Sequence, residues 1–270
     1  VTEPHRDPET GPGPEPEPAT VPDTSLTDRH AALVRMADGA DRFGSRHDPN
    51  DPGDVRAMPM VLHIPKAEPP ARSALLRAAA TATALVCLDP RVGPDGPWHG
   101  EYTAWLDARI RKVSRRARGA QWAAAQEVDG ITTTVDGASA RAYVPCRLRD
   151  LDPRLRKLQV EGTDLPLDDR TDAPDPDALV LWVNGTLDMT VGKTAAQVGH
   201  AVMLAAGRLP VETVERWFRR GCPTDVRIAD EARWTESIAL GDAVVGVRDA
   251  GYTEVAPGST TVLADLRSIT

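Results

Sequence analysis

The stretch that decides the fold begins with Leu179-Val180-Leu181-Trp182-Val183. It runs through a polar loop into Gly192-Lys193-Thr194-Ala195-Ala196-Gln197-Val198-Gly199-His200. An unbroken apolar run of this length, rich in branched and aromatic residues, predicts a buried strand. The small-residue run predicts a helix over 193–207, stopped by Pro210. Lys193, Gln197 and His200 stand at i, i+4 and i+7, so they share one helical face. A lysine at a helix start puts a full positive charge where backbone N–H groups lack intrahelical partners.

Downstream, the pattern predicts a helix over 211–220 ended by Gly221, a strand over 224–229 and a helix over 231–240. Two more strands follow at 244–248 and 260–266, with Asp249-Ala250-Gly251-Tyr252-Thr253 and Pro257-Gly258 between them. The order β-α-α-β-α-β-β over 178–270 implies a small α/β layer fold with a mixed sheet. Asp249 and Thr253 add a carboxylate and a hydroxyl to the Lys-Gln-His face. Together these groups can hold a phosphate-bearing substrate and direct a water at an ester.

The upstream chain divides by composition. Residues 1–25 hold seven prolines among acidic and small residues, a composition that predicts disorder. A short helix is expected at 26–37, and residues 1–57 as a whole read as a mostly disordered tail. A first α/β module spans 58–151, with a strand at 58–64 and an alanine-rich helix at 71–88. A basic helix is expected at 101–118, carrying Arg109, Arg111, Lys112, Arg115, Arg116 and Arg118. The acidic, proline-bearing stretch 152–177 reads as a linker.

The net charge of −8 argues at first against a nucleic-acid partner, but the charge is unevenly placed. The tail carries −6 and the linker −4, whereas residues 54–151 carry +4. The basic helix is therefore the electrostatic candidate for RNA contact, with a solvated charged face as its ordinary alternative. Three widely spaced cysteines fit neither a metal-binding spacing nor a disulfide framework. No apolar signal core and no run of 18 apolar residues occur, so a cytoplasmic protein off the membrane is expected.

Trp105 and Trp122 are 17 apart, as are Trp217 and Trp234, and the two pairs are offset by the same 112 residues. Both halves also begin strand, loop, alanine-rich helix. The first module is thus either a degenerate copy of the second or a chance match of two tryptophan pairs. As a copy it has lost the polar face, because Arg72, Leu76 and Ala79 stand where Lys193, Gln197 and His200 do.

Each polar residue taken singly has an ordinary structural alternative: a solvated lysine, a hydrogen-bonded core histidine, a turn-forming aspartate. Lysine scarcity adds weight to Lys193. Arginine outnumbers lysine 28 to 4, and Lys193 is the only lysine after Lys157. A phosphate-binding P-loop is disfavoured, since six residues rather than four separate Gly185 from the Gly192-Lys193 pair.

Met189-x-x-Gly192-Lys193-x-Ala195-Ala196-Gln197-x-x-His200-Ala201, Asp249-Ala250-Gly251-x-Thr253 and Ala256-Pro257-Gly258-Ser259-x-Thr261-Val262 together resemble the type 2 peptidyl-tRNA hydrolase family. The resemblance covers residues 178–266. It implies a three-layer α/β/α domain with a four-stranded mixed sheet, commonly homodimeric, that hydrolyses the ester joining a peptide to the 3′ ribose of tRNA. It further implies Lys193, Asp249 and Thr253 as catalytic groups and Gly192, Gln197 and His200 as substrate-binding. The implied partner is tRNA, and neither a metal nor an organic cofactor is called for. Two departures stand out. Asn184, Thr186 and Asp188 occupy positions where the family has Arg, Asp and Lys, and Asp265-Leu266 replaces a Gly-Pro. A catalytically weak homologue that binds RNA or a protein therefore stays open as an alternative, as does a nucleotide-binding switch.

Overall fold

The computed structural model describes residues 24–39, 49–168, 170 and 172–269. The disorder expected over residues 1–25 falls, up to residue 23, outside the described residues. The helix expected at 26–37 forms as α1 (Thr24–Asp38). Leu26, Leu33, Met36 and Ala37 give it one buried apolar stripe, so it belongs to the core rather than to a tail.

The first half then runs β1 (Arg56–His63), α2 (Arg72–Leu88), α3 (His99–Leu106), β2 (Arg111–Ala117), α4 (Gly119–Gln126), β3 (Gly130–Val135), β4 (Ala138–Tyr143), the two-residue β5 (Cys146–Arg147) and the short α5 (Pro153–Arg156). The strands form a sheet in the order β2-β1-β4-β3, with β5 also pairing β1. β1 is parallel to β2 and antiparallel to β4. Pro59 sits inside central β1, between the stretch paired with β5 and the stretch paired with β4. There a missing N–H removes no rung from either antiparallel neighbour.

The basic helix expected over 101–118 is not formed. α3 ends at Leu106, and Arg111–Ala117 is the edge strand β2. Positive charges that would have ringed a helix are tolerable on a sheet edge, where charge also discourages pairing with another chain. Ser114 and Ala117 turn inward, while Arg115 donates to the carbonyls of Arg156 and Leu158.

The second half runs β6 (Leu179–Asn184), α6 (Val191–Arg208), α7 (Val211–Arg219), β7 (Thr224–Ala229), α8 (Glu231–Ile238), β8 (Val244–Arg248) and β9 (Thr260–Asp265). Its four-stranded mixed sheet has the order β7-β6-β9-β8, with β6 parallel to β7 and antiparallel to β9. Leu181 and Val183 face the core beneath α6, while Trp182 faces Trp234 of α8 on the other side. This alternation puts helices on both faces of the sheet, the three-layer arrangement expected over 178–270.

Element for element, the two sheets share strand order and pairing sense. Trp105 on α3 donates its indole N–H to the carbonyl of Arg111 at 3.0 Å, and Trp217 on α7 donates to that of Pro223 at 2.8 Å. Both bonds span six residues. α2 packs on its own sheet and against β7, and α6 packs on its own sheet and against β2. The two helices also pack on each other, so one apolar core runs through both halves.

The stretch expected as a linker is laid over this joint: Leu165 is in the core, and the Thr163 hydroxyl accepts from the Gly192 N–H. On the far side of α6, α1 comes close at Gly207, where an added Cβ would stand 2.4 Å from the Leu33 carbonyl oxygen. Among the described residues no helix is long and apolar enough to cross a membrane.

Candidate active site

α6 begins at a capped end. Thr190 accepts from the Lys193 N–H at 3.2 Å through its hydroxyl and from the Thr194 N–H at 2.9 Å through its carbonyl. With Gly192 N–H given to Thr163 at 3.0 Å, the N–H groups of Gly192, Lys193 and Thr194 all have partners within the protein. Gly192 is buried there, and a Cβ on it would stand 2.8 Å from the Thr163 hydroxyl. The Lys193 side chain is what this helix start turns toward the Asp249 loop.

The Lys193 ammonium lies 2.6 Å from Asp249 Oδ2 and 3.3 Å from the Thr253 hydroxyl oxygen. Gln197 donates from Nε2 to the same Asp249 oxygen at 2.8 Å. Its Oε1 accepts from the Thr261 hydroxyl at 2.6 Å, which fixes which way the amide faces. The other Asp249 oxygen accepts from the Gly251 N–H at 2.7 Å. Lys193, Gln197, Asp249 and Thr253 are thus brought together although 56 residues separate Lys193 from Asp249.

The loop carrying Asp249 is shaped by Gly251, whose φ of 78° is the left-handed conformation. A Cβ there would stand 2.6 Å from Pro257 Cα. Glu254 closes the loop onto the helix cap, accepting from Thr190 through both the N–H and the hydroxyl.

The ion pair is partly dry: the Lys193 side chain is 9% exposed and that of Asp249 8%. At such a site the charges interact more strongly than in water, and losing either partner strands the other. Thr253 accepts from Lys193, so its own hydroxyl proton is free to be donated.

His200 lies one turn beyond Gln197, and its partner comes from the first half of the chain. Lys112 Nζ of β2 is 3.1 Å from His200 Nδ1 and 3.0 Å from Met203 Sδ. It also lies 5.1 Å from the Trp105 ring centroid. Burial, reinforced by the Lys112 and Lys193 charges, holds the His200 imidazole well below its usual value, so the ring is neutral at pH 7. Burial likewise pulls the Lys112 ammonium down to about 7.

Thr190 and Glu254 were not singled out from the sequence, Thr261 entered only within a quoted motif, and Lys112 only as one charge of the expected basic helix. Lys112 had a signal, being one of four lysines in an arginine-rich chain, the same scarcity that marked Lys193. Asn184, Thr186 and Asp188 form the loop before the helix. Asn184 is buried, donating to the Thr260 carbonyl and accepting from Thr186, while Asp188 is exposed. Among the described residues no group of three or more His, Cys, Asp or Glu side chains is arranged to hold a metal ion.

Comparison with known proteins finds similarity over the C-terminal third of the chain. The sequence profile of the peptidyl-tRNA hydrolase PTH2 family matches residues 178–265. The chain is 37% identical over 93 residues to the mitochondrial peptidyl-tRNA hydrolase 2 of Bos taurus, covering 32% of this chain and 52% of that protein. It is 33% identical over 121 residues to peptidyl-tRNA hydrolase 2 of Saccharomyces cerevisiae, covering 38% and 54%. It is 33% identical over 93 residues to the peptidyl-tRNA hydrolase of Thermococcus onnurineus, covering 32% and 79%. The chain thus spans about half the length of the bovine and yeast relatives and most of the archaeal one.

Proposed function

Because the chain belongs to the peptidyl-tRNA hydrolase PTH2 family through its C-terminal third, we propose that this part hydrolyses the ester between a peptide and the 3′ ribose of tRNA. The observation that carries the reading is the cluster of Lys193, Gln197, Asp249 and Thr253, with the ammonium 2.6 Å from the carboxylate.

Ester hydrolysis needs a water delivered to the carbonyl carbon and a stabilised oxyanion. Asp249, held at both oxygens by Gly251, Gln197 and Lys193, has lone-pair capacity left to orient a water and take its proton. The Lys193 ammonium and the Thr253 hydroxyl face the same space and stabilise the charge that develops on the carbonyl oxygen. The tetrahedral intermediate collapses by breaking the bond to the ribose oxygen, which takes up the proton that Asp249 removed. The products are a tRNA with a free ribose hydroxyl and a peptide whose new carboxylic acid ionises by releasing its proton to water.

On the same reading the first half is a degenerate copy of the second. Its support is the shared topology, the matching tryptophan bonds, and Arg72 in place of Lys193. Arg72 donates to the Met189 carbonyl at 2.8 Å and to the Thr194 hydroxyl at 3.1 Å, so it braces the start of α6 instead of serving a site of its own.

The test is release of deacylated tRNA from peptidyl-tRNA by the full chain. Turnover abolished by Lys193→Ala supports the reading. Binding of tRNA without turnover favours the alternative of a catalytically weak RNA-binding homologue, to which the exposed Asp188 and uncharged Asn184 and Thr186 lend some support.

A further inference from the structure

Lys112 reaches the active-site helix from the other half of the chain, and its contacts are unlike those of a surface lysine. Nζ stands 3.1 Å from His200 Nδ1, 3.0 Å from Met203 Sδ and 5.1 Å from the Trp105 ring centroid. The three N–H bonds of an ammonium are thus matched by a ring nitrogen, a thioether and an aromatic face. Among the described residues no carboxylate is bonded to it or paired with it. α6 is opened to admit the lysine stem at Gly199, where an added Cβ would stand 3.0 Å from Lys112 Cδ and 3.1 Å from Cε.

The fold does not require an unpaired charge at this place. Asp225 is the second residue of edge strand β7, as Lys112 is of β2, and each is in register with the central parallel strand of its sheet. The Asp225 charge is answered by Arg170 at 2.8 Å and Arg227 at 2.9 Å, and Ala79 of α2 stands where α6 has His200. A methionine would fill the Lys112 position with a chain of similar length and no charge to desolvate.

What the amine does show is an effect on the His200 ring. An ammonium can only donate, and the neutral amine still has two N–H groups for the acceptors at 3.0 and 3.1 Å. Nδ1 therefore accepts, and the proton of the neutral ring sits on Nε2. Among the described residues nothing hydrogen-bonds to Nε2, which is not sealed from solvent. The ring shares a helical face with Lys193 and Gln197, and the Lys193 charge bears on it. An N–H flanked by two lysines and answered by no acid suits an anionic oxygen.

We propose that Lys112 is a positioning residue supplied by the first half of the chain, holding His200 by Nδ1 so that Nε2–H donates to a phosphate oxygen at the 3′ end of the RNA substrate. This rests on the hydrolase reading for the identity of the RNA. Lys112 touches no substrate, so all of its effect passes through His200.

The test is a double-variant cycle on the full chain, read by equilibrium binding of deacylated tRNA and of the same tRNA trimmed of its unpaired 3′ nucleotides. His200→Phe keeps a ring and loses the N–H, and should weaken binding of intact tRNA about tenfold. Lys112→Met should lose part of that, about three- to tenfold. The double variant should lose no more than His200→Phe alone, since the lysine acts through the ring. Trimmed tRNA should bind wild type and variants alike. With peptidyl-tRNA, Lys112→Met should raise KM by about the factor lost in affinity, with kcat within about twofold of wild type. Nitrogen NMR of labelled histidines should show His200 with a hydrogen-bonded, unprotonated Nδ1 in wild type, and that signal should move in Lys112→Met.

Should either single variant fail to fold, Lys112→Leu or His200→Ala takes its place in the cycle. Unchanged affinity in both single variants overturns the proposal, as do additive losses in the double variant, an equal loss on trimmed tRNA, or a His200 spectrum indifferent to Lys112→Met. A chain that shows the binding cycle and the spectral change yet releases no peptide overturns the hydrolase reading and leaves the role of Lys112 standing.

Discussion

Lys112 of β2 and His200 of α6 are 88 residues apart in the chain, yet Nζ and Nδ1 stand 3.1 Å apart beside the Lys193–Asp249 pair. The contact joins the two sheets at the active-site end of α6. It is also an unusual place for a lysine, because the groups around it are apolar or neutral: Cys87 of α2, Trp105 of α3, and His200 and Met203 of α6. The Cys87 thiol is itself pushed up to about 11, and offers no anion at neutral pH.

That environment makes stability depend on pH in a stated direction. The folded-state value of Lys112 is lowered to about 7, against 10.5 when unfolded, so the unfolded chain binds the extra proton between those limits. Lys112 is therefore most destabilising below pH 7 and less so as pH rises toward 10.5. Lys112→Met should raise stability to urea at pH 6.5, and the gain should shrink steadily by pH 9.5. A gain that grows with pH would contradict the burial of this ammonium.

Lys193→Ala and Asp249→Asn should each lower turnover on peptidyl-tRNA by about two orders of magnitude or more. Single-turnover kinetics on folded variants checks this, and near wild-type rates in both would remove the pair from the mechanism. Lys193→Arg should not restore activity, since a planar guanidinium cannot place one point charge between Asp249 and Thr253.

The same pair is structural. Removing one member leaves the other buried at 8–9% exposure, which costs about 3–5 kcal/mol. Lys193→Met/Asp249→Leu should lose clearly less than the sum of its single variants. A urea-denaturation cycle measures the difference, and strict additivity would mean that the two charges do not depend on each other.

Gly207→Ala should loosen α1. The new methyl meets the Leu33 carbonyl at 2.4 Å and Ala37 Cβ at 2.7 Å, so the helices must separate. That also stretches the bonds from His30 Nε2 to the carbonyls of Ala206 and Leu209, both 3.0 Å. The expected loss is about 1–3 kcal/mol, with earlier proteolysis within 24–39 than in wild type. Unchanged protease resistance there would show that α1 is not held by this approach.

Residues 178–270 expressed alone should self-associate. α6 is buried on one side by its own sheet and on the other by α1 and α2, so excision bares Val202, Ala205 and Ala206. Light scattering across concentrations checks this; a monodisperse monomer of the fragment would mean that the first half adds little to the α6 face.

Local pattern was enough for the second half of the chain. The apolar run at 179–183, the small-residue helix after it and the turn residues at 249–251 each carry their own periodicity or backbone requirement, and these survive any packing. The Lys193, Gln197 and Asp249 cluster was legible for the same reason, through two motifs set in the strands and helix that bring them together. The run Arg111–Ala117 misled because charge on a sheet edge and charge around a helix look alike until the neighbouring strand is known. Lys112 against His200, Arg109 and Arg111 over Tyr252, and Thr163 on Gly192 were decided by tertiary structure alone. Such contacts join segments whose meeting depends on how α2 and α6 bury each other, and that shared apolar face leaves no local mark on the distant polar residues it brings together.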